Sequence, residues 1–290
     1  MVTDNDVQDA VVELLRKTVV RLPADVDEAL RRSFDAETDE VPKMQMKAIL
    51  DNIDMAEKGN TPMCQDTGVT IFYVTLPKSC TADVEKGIIE GVRRATKEVP
   101  LRPNAVHPIT RKNPGDNVGL RMPYINWKVG DKDYIEITVM TKGAGSENMS
   151  QLAMLTPSQG LKGIKEFVLN TVLRAGGNPC PPMILGVGIG GSADISMKLA
   201  KEALLRPLNV RHSDPEIAAL ETELLESMNM LGIGPMGLGG KTSLLGLNIE
   251  YAYCHTASLP VAINVQCWAA RRGTVRIHTD GNLEFPTHER

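Results

Sequence analysis

Apolar residues recur at helical spacing through the first third of the chain. Val7 to Val20 carries one such pattern, and Asp25 to Phe34 resumes it after a break at Pro23. Val41 to Lys58 is a third, closed by Gly59-Asn60, a favourable helix stop. The period then changes. Val69 to Leu76 is rich in β-branched and aromatic residues and predicts a strand. Thr81 is the expected N-cap of a helix from about Asp83 to Lys97, ended by Val99-Pro100. Residues 101–132 are dense in Pro, Asn and Gly and predict a long irregular segment, a kind that is usually functional or disordered.

Further along, Tyr134 to Thr141 alternates apolar and polar positions as a half-buried strand does. A glycine-rich turn follows, then helices at about Gly160–Leu173 and Ala193–Leu205 around a short buried strand, Met183 to Val187. Ser213-Asp214-Pro215-Glu216 is a capping box with proline in the first turn, which predicts a helix to about Met228. Ser243 to Tyr251, Leu259 to Val265 and Thr274 to His278 are strand-like. Helices come first, the two kinds then mix, and strands cluster late. This order predicts an α+β fold with a mixed sheet, in one large domain spanning 1–290. There is no internal repeat and no low-complexity linker.

Composition removes several classes of function. Apolar residues make up 42% of the 290, enough for a sizeable packed core. A formal net charge of −4, with Lys and Arg dispersed, offers no basic field for nucleic acid and no membrane-surface patch. No apolar stretch approaches the roughly 18 to 20 residues that cross a bilayer. The polar, acidic start Met1-Val2-Thr3-Asp4 is unlike a secretory signal. Five cysteines, an odd and sparse set, argue against a secreted disulfide framework. A cytoplasmic location is the expectation.

Two glycine motifs suggest nucleotides and fail on context. Gly186-Val187-Gly188-Ile189-Gly190-Gly191 has dinucleotide-binding spacing. Yet the region where an acidic-ended second strand should follow, Arg206 to His212, is basic and broken by proline. A tight strand-to-helix turn, able to offer N–H groups to an anion, is the better reading. Gly234 to Thr242 resembles a phosphate loop, but Pro235 occupies the first glycine position and a helix precedes it. It reads as a connector.

Three of the cysteines sit in turn-forming contexts. Cys64 opens Cys64-Gln65-Asp66-Thr67-Gly68, Cys180 lies in Asn178-Pro179-Cys180-Pro181-Pro182, and Cys267 ends an apolar run before Trp268. The prolines fix the backbone around Cys180 and hold its thiol on a rigid loop. Three such thiolates meeting at one point can hold an iron–sulfur cluster and leave an iron open. The ordinary alternative is a set of small buried hydrophobes, a reading that Cys80 and Cys254 fit. Zinc is a further alternative, though it usually takes paired ligands such as C-x2-C. Spacing alone does not choose among them.

The words around these cysteines resemble the class I, iron–sulfur-dependent fumarases and L-tartrate dehydratases, specifically the α subunit of their two-subunit forms. The resemblance runs in order through Cys64–Gly68, Leu101-Arg102-Pro103-Asn104, Lys142-Gly143-Ala144-Gly145-Ser146, Cys180-Pro181-Pro182, Leu231-Gly232-Ile233-Gly234-Pro235, His255-Thr256-Ala257-Ser258 and Cys267-Trp268-Ala269-Ala270-Arg271-Arg272. It implies that Cys64, Cys180 and Cys267 ligate a [4Fe–4S] cluster. It also implies that Gln65, Asp66, Arg102, Gly143 and His255 contact a small dicarboxylate, with Asp66 and His255 closest to the chemistry. Arg102 has the fork geometry a carboxylate needs. Gly143 would let substrate approach the backbone, and His255 could relay a proton near neutrality. Arg271 and Arg272 receive no substrate contact in this reading.

The implied reaction is reversible hydration of fumarate to L-malate, with the open iron as Lewis acid and Arg102 stabilising charge on the neighbouring carboxylate. Single-chain relatives draw further arginines, threonines and a lysine from a second domain that this sequence lacks. The expectation is therefore a separate β subunit that supplies the base, in an α2β2 assembly. Ser146-Glu147-Asn148-Met149 favours fumarate over tartrate.

Overall fold

The structure is a computed structural model that describes residues 2–99 and 101–288. Helix α1 (Asp4–Val20) starts at a capping box in which Thr3 accepts from the Asp6 N–H and Asp6 accepts from Thr3. Helices α2 (Ala24–Ala36) and α3 (Glu40–Gly59) follow, and Asn60 takes the left-handed conformation that stops α3. Strand β1 (Val69–Pro77) leads to α4 (Val84–Glu98). The cap of α4 is Asp83, not Thr81, because the Asp83 carboxylate accepts from the Lys86 N–H. Val99 is its C-cap, and Pro100 lies outside the described residues.

The expected irregular segment contains a strand, β2 (Tyr124–Gly130), before β3 (Ile135–Lys142). Both faces of β2 are largely exposed, so no apolar alternation marked it. A single turn, α5 (Ala144–Glu147), leads to β4 (Gln151–Leu155), another strand the pattern did not signal. Then come α6 (Gly160–Ala175), β5 (Met183–Gly190), α7 (Ala193–Ala203) and α8 (Pro215–Asn229). Asp214 rather than Ser213 caps α8, accepting from the Glu216 N–H. The chain ends in β6 (Leu244–Ala252), β7 (Leu259–Gln266), β8 (Arg272–Ile277) and the short β9 (Leu283–Glu284). The fold is α+β, and among the described residues no helix is long and apolar enough to cross a membrane.

The chain divides into two compact units. The first takes Met1–Ala24, Asn52–Gly143 and Arg271–Arg290; the second takes Asp25–Asp51 and Ala144–Ala270. In the first, a sheet ordered β2-β1-β3-β8-β9 carries α1 and α4 over a core that includes Leu14, Leu15, Phe72, Ile88 and Ile137. Gly87 and Gly91 let α4 approach α1 closely, since a Cβ at either would stand 2.7 Å from Val7 or Val11. The second unit has its own sheet, β4-β7-β5-β6, and its own core, which includes Val168, Leu185, Leu224 and Ile263.

Both glycine motifs have structural work in the second unit. A Cβ at Gly186 or Gly188 would lie 2.0 Å from the carbonyl oxygen of Ala200 or Ser196, so these glycines seat α7 directly on β5. Gly190 and Gly191 then make the tight turn between strand and helix at positive φ. The connector around Gly234–Thr242 is anchored to the end of α2. The Lys241 N–H donates to the buried Glu37 carboxylate at 2.7 Å, and its ammonium donates to the Ala36 carbonyl. Burial would raise the Glu37 carboxyl, but N–H groups of Lys241, Asp39 and Thr38 outweigh it and hold it below its ordinary value.

Candidate functional site

Sheet direction places the candidate residues of the first unit together. Strand β1 pairs antiparallel with β3 (Val69 opposite Lys142), and β3 antiparallel with β8 (Met140 opposite Arg272). The start of β1, the end of β3 and the start of β8 therefore share one end of the sheet. Asp66, Gly143 and Arg271 occupy the loops there. A Cβ built on Gly143 would lie 3.0 Å from Asp66 Oδ2 and 3.7 Å from Arg271 Nη2. The absence of a side chain at Gly143 thus leaves a small cradle between an acid and a guanidinium.

Asp66 divides its two oxygens. Oδ1 accepts from the Gly68 N–H at 3.0 Å and from Asn104 Nδ2 at 3.3 Å, an Asx-turn that fixes the carboxylate. Oδ2 is the oxygen turned toward Gly143. The preceding residues are pinned as well. The Met63 N–H donates to Val19, and the Met63 carbonyl accepts from Asn52, so half-buried Cys64 and exposed Gln65 leave a fixed backbone.

Arg102 reaches the same neighbourhood through Thr67. Its N–H donates to Thr67 Oγ1 at 3.0 Å, and its carbonyl accepts from Asn117 Nδ2 at 2.9 Å. Asn117 is buried at positive φ and uses its whole amide. Oδ1 accepts from the Asn104 and Ala105 N–H groups, while Nδ2 also donates to Thr96. This one side chain orders much of the irregular segment, a role that nothing in the local sequence pattern singled out. The Arg102 guanidinium is exposed and makes no hydrogen bond or ion pair among the described residues.

In the second unit, Cys180 and Cys267 come to one end of the sheet. Cys180 precedes β5, Cys267 follows β7, and these strands pair antiparallel (Ile184 opposite Gln266). The Trp268 N–H donates to the Cys180 carbonyl, tying the two loops together. Cys180 has φ of 55°, a left-handed conformation uncommon for a residue with a side chain. The loop holds it there through the Cys180 N–H to Gly177 and the Met236 N–H to the Pro181 carbonyl. Strain of this kind gathers at functional sites. Both thiols are half-buried, and no cysteine forms a disulfide.

His255 lies elsewhere. It sits between β6 and β7, at the opposite end of that sheet from both cysteines and roughly 25 Å away by strand rise. It is exposed, and its Nδ1 accepts from the Ala257 N–H, which leaves Nε2 to carry the proton in the neutral ring. Cys254 beside it is exposed past the end of β6, its thiol donating to Ser258, which corrects the expectation of a small buried hydrophobe. Cys80 does pack against the first core, half-buried.

Among the described residues no three His, Cys, Asp or Glu side chains stand gathered to hold a metal ion. The donor chemistry nevertheless suits an iron–sulfur cluster. Cys64, Cys180 and Cys267 are all loop thiols, soft ligands that are partly accessible, and two of them are already tied to each other's loop.

The chain belongs to a known family: the profile of fumarate hydratase (fumerase) matches residues 8–276, and the family is one of hydro-lyases. A Methanocaldococcus jannaschii protein named "Putative L(+)-tartrate dehydratase subunit alpha" is 53% identical over 283 residues, 96% of this chain and 99% of its own length. L(+)-tartrate dehydratase subunit alpha of Escherichia coli strain UTI89 is 37% identical over 289 residues, 99% of this chain and 95% of its own. The K12 protein of the same name is 36% identical over the same span.

Proposed function

We propose that this chain is the α subunit of a hydro-lyase that interconverts fumarate and L-malate, completed by a separate β subunit. The observation that carries the reading is the cradle at Gly143, bordered by the Asp66 carboxylate and close to the Arg102 loop. A four-carbon hydroxydicarboxylate needs a cation for a carboxylate and an acceptor for its hydroxyl. The exposed Arg102 guanidinium supplies the first and Asp66 Oδ2 the second, with Gln65 beside them. Cys64, Cys180 and Cys267 would hold a [4Fe–4S] cluster, which when bound supplies Lewis acidity for the departing hydroxyl. His255 lies at the end of its own sheet opposite Cys180 and Cys267 and takes no part in this reading, and α2β2 is the proposed stoichiometry. The partner would contribute the base. Relatives that are themselves named alpha subunits support a separate partner.

Dehydration of L(+)-tartrate is the second reading, favoured by the names of those relatives. The segment that had favoured fumarate has structural duties: Ser146 is buried, and Glu147 meets Lys201 at 2.6 Å and Asn264 at 3.1 Å. It therefore discriminates little between the two substrates.

The test is the assembled enzyme, prepared without oxygen and given L-malate and L(+)-tartrate in parallel. Faster turnover of malate is expected, with about four irons and four sulfides per chain. Cys64→Ser, Cys180→Ser and Cys267→Ser should each lose iron, whereas Cys80→Ser and Cys254→Ser should keep it. Preference for tartrate replaces the substrate assignment. Iron lost on changing Cys254, or kept on changing Cys180, overturns the ligand set.

A further inference from the structure

Arg271 is the largest fully buried side chain among the described residues, at 1% exposure. Its Nε and Nη1 are enclosed and have no hydrogen-bond partner among the described residues. Leaving a buried donor unsatisfied is destabilising, and more so when the group is charged. The neighbouring buried cations differ, because Lys142 and Arg272 both have partners. Nor is Arg271 loosely placed. Its carbonyl accepts from the Thr141 N–H, and Arg272 next to it enters β8 opposite Met140. A guanidinium held this firmly without an anion is built for one that arrives.

The direction it faces identifies the anion. Nη2 stands 3.7 Å from the place a Cβ would take on Gly143, across the cradle from Asp66 Oδ2. Nη2, the guanidinium nitrogen nearest the cradle, is placed to donate to a carboxylate oxygen there. We propose that Arg271 is a second carboxylate-binding residue of this site, taking the end of the substrate that Arg102 does not hold. The inference rests on the dicarboxylate reading above and adds to it that both anchoring arginines come from one unit of this chain. Arg102 is exposed and serves arrival and orientation. Arg271 is dry, and a dry charge discriminates more strongly against a molecule that lacks its partner.

The experiment compares Arg271→Met and Arg271→Lys with the unaltered protein in the assembled, iron-loaded enzyme. The readouts are ligand-free melting temperature, KM and kcat for L-malate, iron content, and inhibition by 2-hydroxybutyrate, which keeps the hydroxyl and one carboxylate. If the cation is kept for a ligand, Arg271→Met melts no lower than the unaltered protein without ligand. Its KM for malate should rise at least thirty-fold, and added malate should no longer raise its melting temperature. Its preference for malate over 2-hydroxybutyrate should narrow, and Arg271→Lys should recover part of each loss. A lower ligand-free melting temperature with KM within three-fold of normal assigns Arg271 a structural role and overturns the proposal. Iron lost at unchanged malate affinity overturns it too, because the guanidinium would then serve the cluster. Should Arg271→Met not fold, Arg271→Lys decides, and an unchanged KM there is again fatal. Unaltered enzyme that turns over neither malate nor tartrate sinks the dicarboxylate reading instead. The ligand-free melting comparison still stands apart from that outcome, and a lower value for Arg271→Met counts against a cation held in reserve.

Discussion

Adding one methyl group at Gly188 should weaken the fold and leave ligand affinity out of the matter. The Cβ of Gly188→Ala would lie 2.0 Å from Ser196 O, 2.6 Å from Ala200 N and 3.0 Å from Leu199 Cβ. Non-bonded carbons settle at roughly 3.5–4 Å from their neighbours. The first two clashing atoms are helix backbone, so no rotamer change relieves them, and α7 must retreat from β5 by on the order of 1 Å. That retreat loosens the contacts of Ser196, Ala200 and Ala203, all at 0% exposure. Overpacking of this kind costs about 3 kcal/mol, the upper end of the usual range. With an m-value of about 3 kcal/mol/M, the urea midpoint falls by about 1 M at unchanged slope. Gly119→Ala is the matched control, because nothing among the described residues lies within 4 Å of its Cβ position. A Gly188→Ala midpoint within about 0.2 M of normal would refute the packing account. Saturable binding of a dinucleotide by the unaltered chain, lost in the variant, would restore the motif's usual meaning.

Two further outcomes follow from buried charge. Glu221, at 0% exposure, takes Arg206 Nη2 at 2.5 Å and the N–H groups of Ile249 and His212 at 2.8 and 3.2 Å. Glu221→Gln strands part of that set, and because Glu250 still holds Arg206 at 3.1 Å the loss should be about 3 kcal/mol, at the low end for a broken buried pair; urea unfolding of the variant checks it, and a loss below about 1 kcal/mol contradicts the arrangement. Burial pushes His288 down from 6.5 to about 4. The unfolded chain therefore binds the extra proton first, so this contribution is complete above pH 6.5 and drains away as pH falls toward 4. The ceiling is about 3 kcal/mol at 1.36 kcal/mol per unit. His288→Phe should flatten that acid limb in melting curves taken from pH 7 to 4, and an unchanged limb would place the effect elsewhere.

Local physics is legible in the chain wherever one face of an element meets a core. The stripe Val7, Val11, Leu14 marks α1, and the β-branched run at Val69 marks β1, because burial leaves a period in the residues. Strands β2 and β4 escape notice for the same reason. β2 buries no residue fully, and β4 alternates in exposure but puts apolar Leu152 and Met154 on its exposed side, so no polar–apolar period is imprinted in either. Gly186-x-Gly188 misleads because close backbone approach asks for glycine whether the neighbour is a phosphate or a helix.

The sequence by itself determined the α+β class and the limits of most elements, and it offered the residue types of a candidate site: loop thiols, an acid, a glycine and an arginine in turn-rich words. Only the tertiary structure decided which of them meet. Antiparallel pairing carries Asp66, Gly143 and Arg271 to one sheet end across gaps that no local pattern spans. The parallel β5–β6 pair sends His255 to the end opposite Cys180 and Cys267. Proximity across a sheet depends on strand direction and register, which are properties of the assembled backbone, whereas periodicity and capping depend on neighbours along the chain.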